Sequence, residues 1–114
     1  MLQIFKALAD ETRLRILSVV WQSEICVCEL EQILNLTQSN ASRHLTVLKN
    51  AGLITGTKRA QWMHYKKNES FCRDHAALCA YLQAQLSMLD TFKQDAENLD
   101  SLGKGLCNTI SKEQ

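Results

Sequence analysis

Proline is absent from this chain of 114 residues, acidic side chains are missing from a long central stretch, and no run of 18 or more apolar residues occurs. The last absence excludes a helix able to cross a membrane. Met1 leads straight into Leu2-Gln3-Ile4-Phe5-Lys6, which lacks the regions of a secretory signal, so a cytoplasmic protein is expected. What is present is 46% hydrophobic and 22% charged residues, too apolar for a disordered chain and too evenly charged for a basic tail. One compact domain fits the length. A monomer of this size buries about two-thirds of its chain surface, so an apolar helix left over after core building points to a dimer.

Lys+Arg 13 against Asp+Glu 12 give a net charge of +1, but the charges are unevenly placed. From Thr37 to Lys67 the sequence carries Arg43, Lys49, Lys58, Arg59, Lys66 and Lys67 with no Asp or Glu, which leaves the rest of the chain acidic. A basic island in an acidic protein suits docking on phosphate. No basic amphipathic helix with an aromatic face accompanies it, so membrane adsorption is not expected. A solvated basic face is the plainer alternative. Cys26, Cys28, Cys72, Cys79 and Cys107 are an odd number in a chain without an export signal, which favours thiols available for metal or redox chemistry over disulfides.

Leu2, Phe5 and Leu8 recur at helical spacing, and Asp10 is a natural N-cap for a second helix reaching about Gln22, with Leu14, Leu17, Val20 and Trp21 as its buried stripe. Ile25-Cys26-Val27 reads as a short extended piece, and Cys28 stands at the cap or first turn of a third helix with Glu29 and Glu31 near its start. Asn35-Leu36-Thr37 is a tight connection. Thr37 caps a helix from Gln38 to about Ala51 that ends at Gly52. Ala41, Leu45 and Leu48 face inward on it, leaving Gln38, Ser39, Ser42, Arg43, Thr46 and Lys49 outward. Two β-prone runs, Leu53-Ile54-Thr55 and Trp62-Met63-His64-Tyr65, flank a polar segment with Lys58 and Arg59 near its tip, which reads as a hairpin. Leu78, Leu82, Leu86, Leu89, Phe92 and Ala96 then mark one helix over roughly Cys72 to Leu99. The domain is thus placed at 1–99, with 100–114 as a loose tail.

Two helices joined by a three-residue turn, followed by a basic hairpin, make a mainly α winged helix-turn-helix. A recognition helix meets duplex DNA with its N-terminus, where exposed N–H groups face phosphate and short polar side chains approach base edges in the major groove. Gln38, Ser39, Asn40, Ser42, Arg43 and His44 are residue types that do this, with Gln or Asn pairing adenine and Arg pairing guanine. Lys49, Lys58 and Arg59 add phosphate contacts. Asn40 and Ser42 serve equally well as turn and cap residues, and His44 as a packing or phosphate-touching side chain. Ser39, Ser42 and His44 share one helix but do not make a nucleophile, base and orienting group in a cleft, so neither an enzyme nor a small organic substrate is expected.

The runs Ala9-Asp10-Glu11-Thr12-Arg13-Leu14-Arg15-Ile16-Leu17, Ile25-Cys26-Val27-Cys28-Glu29-Leu30, Gln38-Ser39-Asn40-Ala41-Ser42-Arg43-His44-Leu45, Leu48-Lys49-Asn50-Ala51-Gly52-Leu53-Ile54 and Trp62-Met63-His64-Tyr65 together resemble the ArsR/SmtB family of metal-sensing repressors. The Cys-Val-Cys element resembles its arsenic-responsive branch. The resemblance covers roughly residues 1 to 95. It implies a homodimer paired through the first and last helices, bound to an imperfect palindrome of operator DNA without any cofactor and released by trivalent arsenic or antimony. Two positions depart from the pattern. Glu31 stands where one group of arsenic sensors has a third cysteine, and Ala60-Gln61 stand where wing tips of the family carry glycine and a basic residue.

Soft thiolates select arsenic, antimony, cadmium, lead or zinc over magnesium or calcium. On a regular helix, residues i and i+2 are separated by about 200°, whereas two thiolates about 2.3 Å from one tetrahedral ion lie roughly 3.7 Å apart. Cys26 and Cys28 can therefore share an ion only where the start of this helix is non-helical or becomes so. Ligand-driven unwinding near Glu29 is the expected route to DNA release. Cys107 in the tail is a candidate third thiolate, Cys79 reads as core, and Cys72 is unassigned. His75 reads as solvated, since Asp74, His75 and Asp90 alone do not make an interhelical zinc site. The rivals are a cadmium, lead or zinc sensor of the same family, a redox switch at Cys26 and Cys28, and a small metal chaperone, which would not need the basic helix-turn-helix.

Overall fold

Extended backbone at Asp10 (φ −155°, ψ 125°) separates α1 (Leu2–Leu8) from α2 (Glu11–Gln22), and the Asp10 carboxylate accepts the Arg13 backbone N–H at 3.0 Å. This side-chain acceptor satisfies one of the unpaired amides of the first turn and fixes the helix start. The structure, a computed structural model, describes residues 1–102. β1 (Ile25–Cys26), α3 (Val27–Leu34), α4 (Gln38–Asn50), β2 (Ile54–Arg59) and β3 (Trp62–Lys67) follow in order. The chain then continues through α5 (Glu69–Asp74), α6 (Ala76–Leu86) and α7 (Phe92–Leu102). The molecule is mainly helical with one antiparallel sheet in the order β1-β3-β2, so the hairpin gains a third, two-residue strand that places Ile25 opposite Tyr65 and Cys26 opposite His64.

α2 lies at the centre. It packs on α1, α3, α4, α6, α7 and both hairpin strands, and Ile16, Leu17, Val19 and Val20 are buried along it. Ile25, Leu30, Ile33, Leu45, Leu48, Leu53 and Ile54 close the core around that helix. Gly56 is the close approach in the wing: a Cβ there would stand 2.9 Å from the Tyr65 ring, so glycine lets that ring lie across the strand. Asp95 of α7 is 1% exposed, and its two oxygens accept from Arg15 Nε at 3.2 Å and Nη2 at 3.0 Å. This bidentate pair joins the last helix to α2.

α1 buries Ile4 and Ala7 and leaves Leu2 and Phe5 exposed. Some expectations are corrected. The helix expected from Cys72 to Leu99 is three helices, interrupted at His75 and between Leu86 and Phe92. Its leucine period persists because Leu82 and Leu86 are buried and Leu78 and Leu89 pack partly on the same core, although the axis changes. α7 is described from Phe92 to Leu102. Cys72 and Cys79 are joined in a disulfide, with Cα atoms 5.2 Å apart. The reading against disulfides rested on compartment, whereas the turn at His75 brings the two together.

Candidate nucleic-acid interface and thiol site

α3 ends at Asn35 in the left-handed region (φ 55°), and the Leu36 amide returns to the Glu31 carbonyl at 3.0 Å. Asparagine tolerates this conformation better than most non-glycine residues. The chain then turns through extended Thr37, whose hydroxyl accepts from the Asn40 amide at 3.2 Å and starts α4. Ala41, Leu45 and Leu48 are fully buried. Gln38, Ser39, Ser42, Arg43, Thr46 and Lys49 are all exposed, as their spacing requires. Asn40 is half-buried and its Oδ1 accepts from Arg43 Nη2 at 2.8 Å, which holds the guanidinium over the first turn of the helix. No acidic residue occupies that turn, so the positive end of the helix dipole faces outward uncompensated.

His44 is not part of the outward row. It is half-buried, and its Nδ1 lies 3.2 Å from Arg13 Nη1. Guanidinium has no acceptor, so Nδ1 accepts here and the ring proton is assigned to Nε2. Burial pushes the His44 pKa below 6.5, and the neighbouring Arg13 and Arg43 add to that shift against the opposing pull of Asp10. Arg13 also donates through Nε to the Ala7 carbonyl at 2.7 Å and through Nη2 to the Lys6 carbonyl at 3.2 Å. It therefore ties α1, α2 and α4 together. Sequence reasoning missed this role because no local pattern reports a contact 31 positions away.

β2 and β3 meet at Ala60, which has φ 55°, and Gln61. Lys58 is exposed near the tip. Arg59 is 61% exposed and pairs with Glu24 at 2.7 Å, which draws the wing tip toward the segment entering β1. Lys67 sits 5.1 Å over the Trp21 ring, so this cation of the basic island also serves packing.

Cys26 has two structural memberships. It pairs with β3 opposite His64, and it is the N-cap of α3 in extended conformation (φ −84°, ψ 157°). Glu29 Oε1 accepts its backbone N–H at 3.1 Å. Cys26 is fully buried, Cys28 is half-buried in the first turn, and their sulfurs lie 2.7 Å apart. The expected conflict between a helical start and a shared ion is therefore absent: the helix begins one residue after Cys26, and the sulfurs are together with α3 intact. Unwinding near Glu29 loses its premise. No described cysteine is a free thiol, and no group of three or more metal-binding side chains gathers among the described residues. Cys107 lies outside them. His75 is exposed, with its ring 5.1 Å from that of Phe71.

A sequence profile for bacterial regulatory proteins of the arsR family matches residues 10–55. The chain is 36% identical over 99 residues to an arsenic resistance transcriptional regulator of Pseudomonas putida, covering 85% of this chain and 86% of that protein. It is 44% identical over 66 residues to the arsenical resistance operon repressor of Escherichia coli, covering 57% of this chain and about half, 56%, of that protein. Among solved structures, a homodimeric winged helix-turn-helix DNA-binding domain from Mycobacterium bovis superposes with a TM-score of 0.61 at 28% identity, over 69% of this chain and 74% of that one. These relatives are named as regulators, not as enzymes.

Proposed function

Because the chain belongs to the arsR family of bacterial regulatory proteins, we propose that it is a metalloid-responsive repressor, a homodimer that grips operator DNA and lets go when trivalent arsenic or antimony joins Cys26 and Cys28. One observation carries the reading: a single helix, α3, has the paired sulfurs at its start and the turn into the outward row of α4 at its end. Gln38, Ser39, Asn40, Ser42 and Arg43 would meet base edges, while Lys49, Lys58 and Arg59 would meet phosphate. His44, turned toward Arg13, would hold α4 in place instead of reading a base. The dimer would form through the exposed apolar residues Leu2 and Phe5 of α1 and Tyr81 of α6.

Trivalent arsenic takes three thiols by exchanging its three hydroxyls for sulfur, each thiol proton leaving with one hydroxyl as water. Cys72 and Cys79 pair with each other across the turn at His75, and Cys107 is the candidate for a third sulfur. α7 packs on α3 and ends at Leu102, five positions before it. Inducer binding acts on DNA affinity only through different affinities for two conformations. Cys26 belongs to the sheet and Cys28 to the helix, so an atom bridging them fixes α3 against the wing and sets the angle at which α4 is offered.

The test is an operator mobility shift titrated with arsenite. Cys26→Ser and Cys28→Ser should each hold DNA at arsenite concentrations that release the wild type, and Cys107→Ser should need more arsenite. Undiminished release from both Cys26→Ser and Cys28→Ser would overturn the thiol assignment. Running the same titration with cadmium, lead and zinc separates the metal-sensing alternative.

A further inference from the structure

The segment from Glu69 to Leu86 contains neither glycine nor proline and is rich in alanine and leucine, so local preference alone supports one helix through it. It nevertheless turns at His75 (φ −131°, ψ 56°), which is both the C-cap of α5 and the N-cap of α6. Cys72 lies before the turn, Cys79 after it, and the two are bonded. On an unbroken helix, positions seven apart are separated by about 10.5 Å along the axis, whereas a disulfide requires Cα atoms within about 7 Å. The observed 5.2 Å satisfies the bond and excludes the straight helix. The bond and the continuous helix are thus alternatives, and the sequence has the propensity for the one that the bond forbids.

The corner stands between two surfaces. α5 is fixed to the end of the wing by Asn68, whose amide donates to the Leu53 carbonyl at 3.3 Å, while its side chain donates to the Gly52 carbonyl at 2.8 Å and accepts from the Ser70 amide at 3.0 Å. Phe71 of α5 is buried with its ring 6.0 Å from that of Trp21. α6 presents Tyr81, 62% exposed, and buries Cys79, Leu82 and Leu86. The angle at His75 therefore sets how the apolar face of α6 stands relative to the wing. Cys72 is half-buried and Cys79 buried, so the former is the thiol a small oxidant reaches first.

We propose that Cys72 and Cys79 form a reversible redox site for a hydroperoxide, and that the state of this pair decides whether residues 69–86 bend at His75. The Cys72 thiolate attacks the peroxide oxygen, becomes a sulfenic acid and releases the alcohol, or water from hydrogen peroxide. The Cys79 thiol then attacks that sulfur, closes the S–S bond and expels water. Two thiols lose two electrons and two protons, and the peroxide is reduced by the same two electrons. A dithiol reverses the step through a mixed disulfide. The effect on DNA rests on the function proposed above; the bond and the bend do not.

The experiment uses the whole protein, reduced with dithiothreitol, freed of reductant and titrated with hydrogen peroxide. A peptide map should show Cys72 linked to Cys79, with the link removed by fresh dithiothreitol. Far-ultraviolet circular dichroism should gain helical signal in the reduced form. Operator affinity should differ between the two states by about fivefold or more, and Cys72→Ser should lose that difference while retaining release by arsenite. Absence of the linked peptide overturns the site. Equal dichroism in the two states overturns the bend, and an undiminished peroxide response in Cys72→Ser assigns the switch to Cys26 and Cys28 instead. Mass and dichroism decide the proposal without DNA, so a protein that bound no operator in either state would count only against the function proposed above.

Discussion

Arg13 serves three helices with one guanidinium, and its acceptor on α4 is a neutral imidazole. A histidine whose folded pKa lies below its unfolded value is protonated more readily in the unfolded chain. Its effect on stability is absent above about pH 6.5 and grows as pH falls through that value toward the folded pKa. Asp10, held below 3.8 chiefly by the Arg13 backbone amide, loses its contribution only in much stronger acid. Urea midpoints measured from pH 7.5 to pH 5 should therefore decline, and His44→Asn should flatten that decline. Arg13→Ala removes donors to two carbonyls and an imidazole, and should lower unfolding free energy by about 2 kcal/mol at pH 7. An Arg13→Ala protein with wild-type stability would show that the three-way contact contributes nothing.

At the scale of elements, the attachment of α7 is the sharpest case. Asp95 is buried against a guanidinium that is 30% exposed, so Asp95→Ala leaves a cation that water reaches only in part. The loss should be about 3 kcal/mol, near the lower end for breaking a buried pair, and hydrogen exchange should quicken first in α7. On α4 and the wing the expectations concern DNA: Arg43→Ala should blunt discrimination between operator and random duplex, whereas Lys58→Ala should weaken both alike and make the salt dependence of a dimer shallower by about two counterions. The opposite ranking in a mobility shift would move base readout to the wing. The helix-turn-helix itself was legible because its signals are local. Asp10 and Thr37 are caps, Asn35 takes the left-handed turn, Gly52 has φ 84°, and the three buried positions of α4 follow from spacing. The corner at His75 was illegible, since no breaker marks it and the leucine period runs across it. The pairing of Cys26 with β3 and of Arg15 with Asp95 were equally hidden, because a linear pattern carries no register between distant segments.

The described residues extend 43 × 27 × 23 Å, and among them five large apolar side chains are exposed: Met1 89%, Leu2 66%, Phe5 49%, Tyr81 62% and Met88 73%. Leu2 and Phe5 belong to α1 and Tyr81 to α6, the elements by which the homodimer is proposed to pair. Phe5→Glu should shift sedimentation toward the monomer at micromolar concentration and weaken operator binding with it, since the proposed dimer would read two half-sites together. Retained dimer mass would relocate the interface.

Among the described residues, the order β1-β3-β2 leaves the outer side of β2 without a neighbour in the sheet. Such a margin is a template onto which another chain's strand can be laid, and proteins commonly guard it with cations. Lys58 and Arg59 stand on that strand, so the charges proposed to meet phosphate would also guard the molecules against zipping together edge to edge. Neutralising both should compromise colloidal stability as well as affinity.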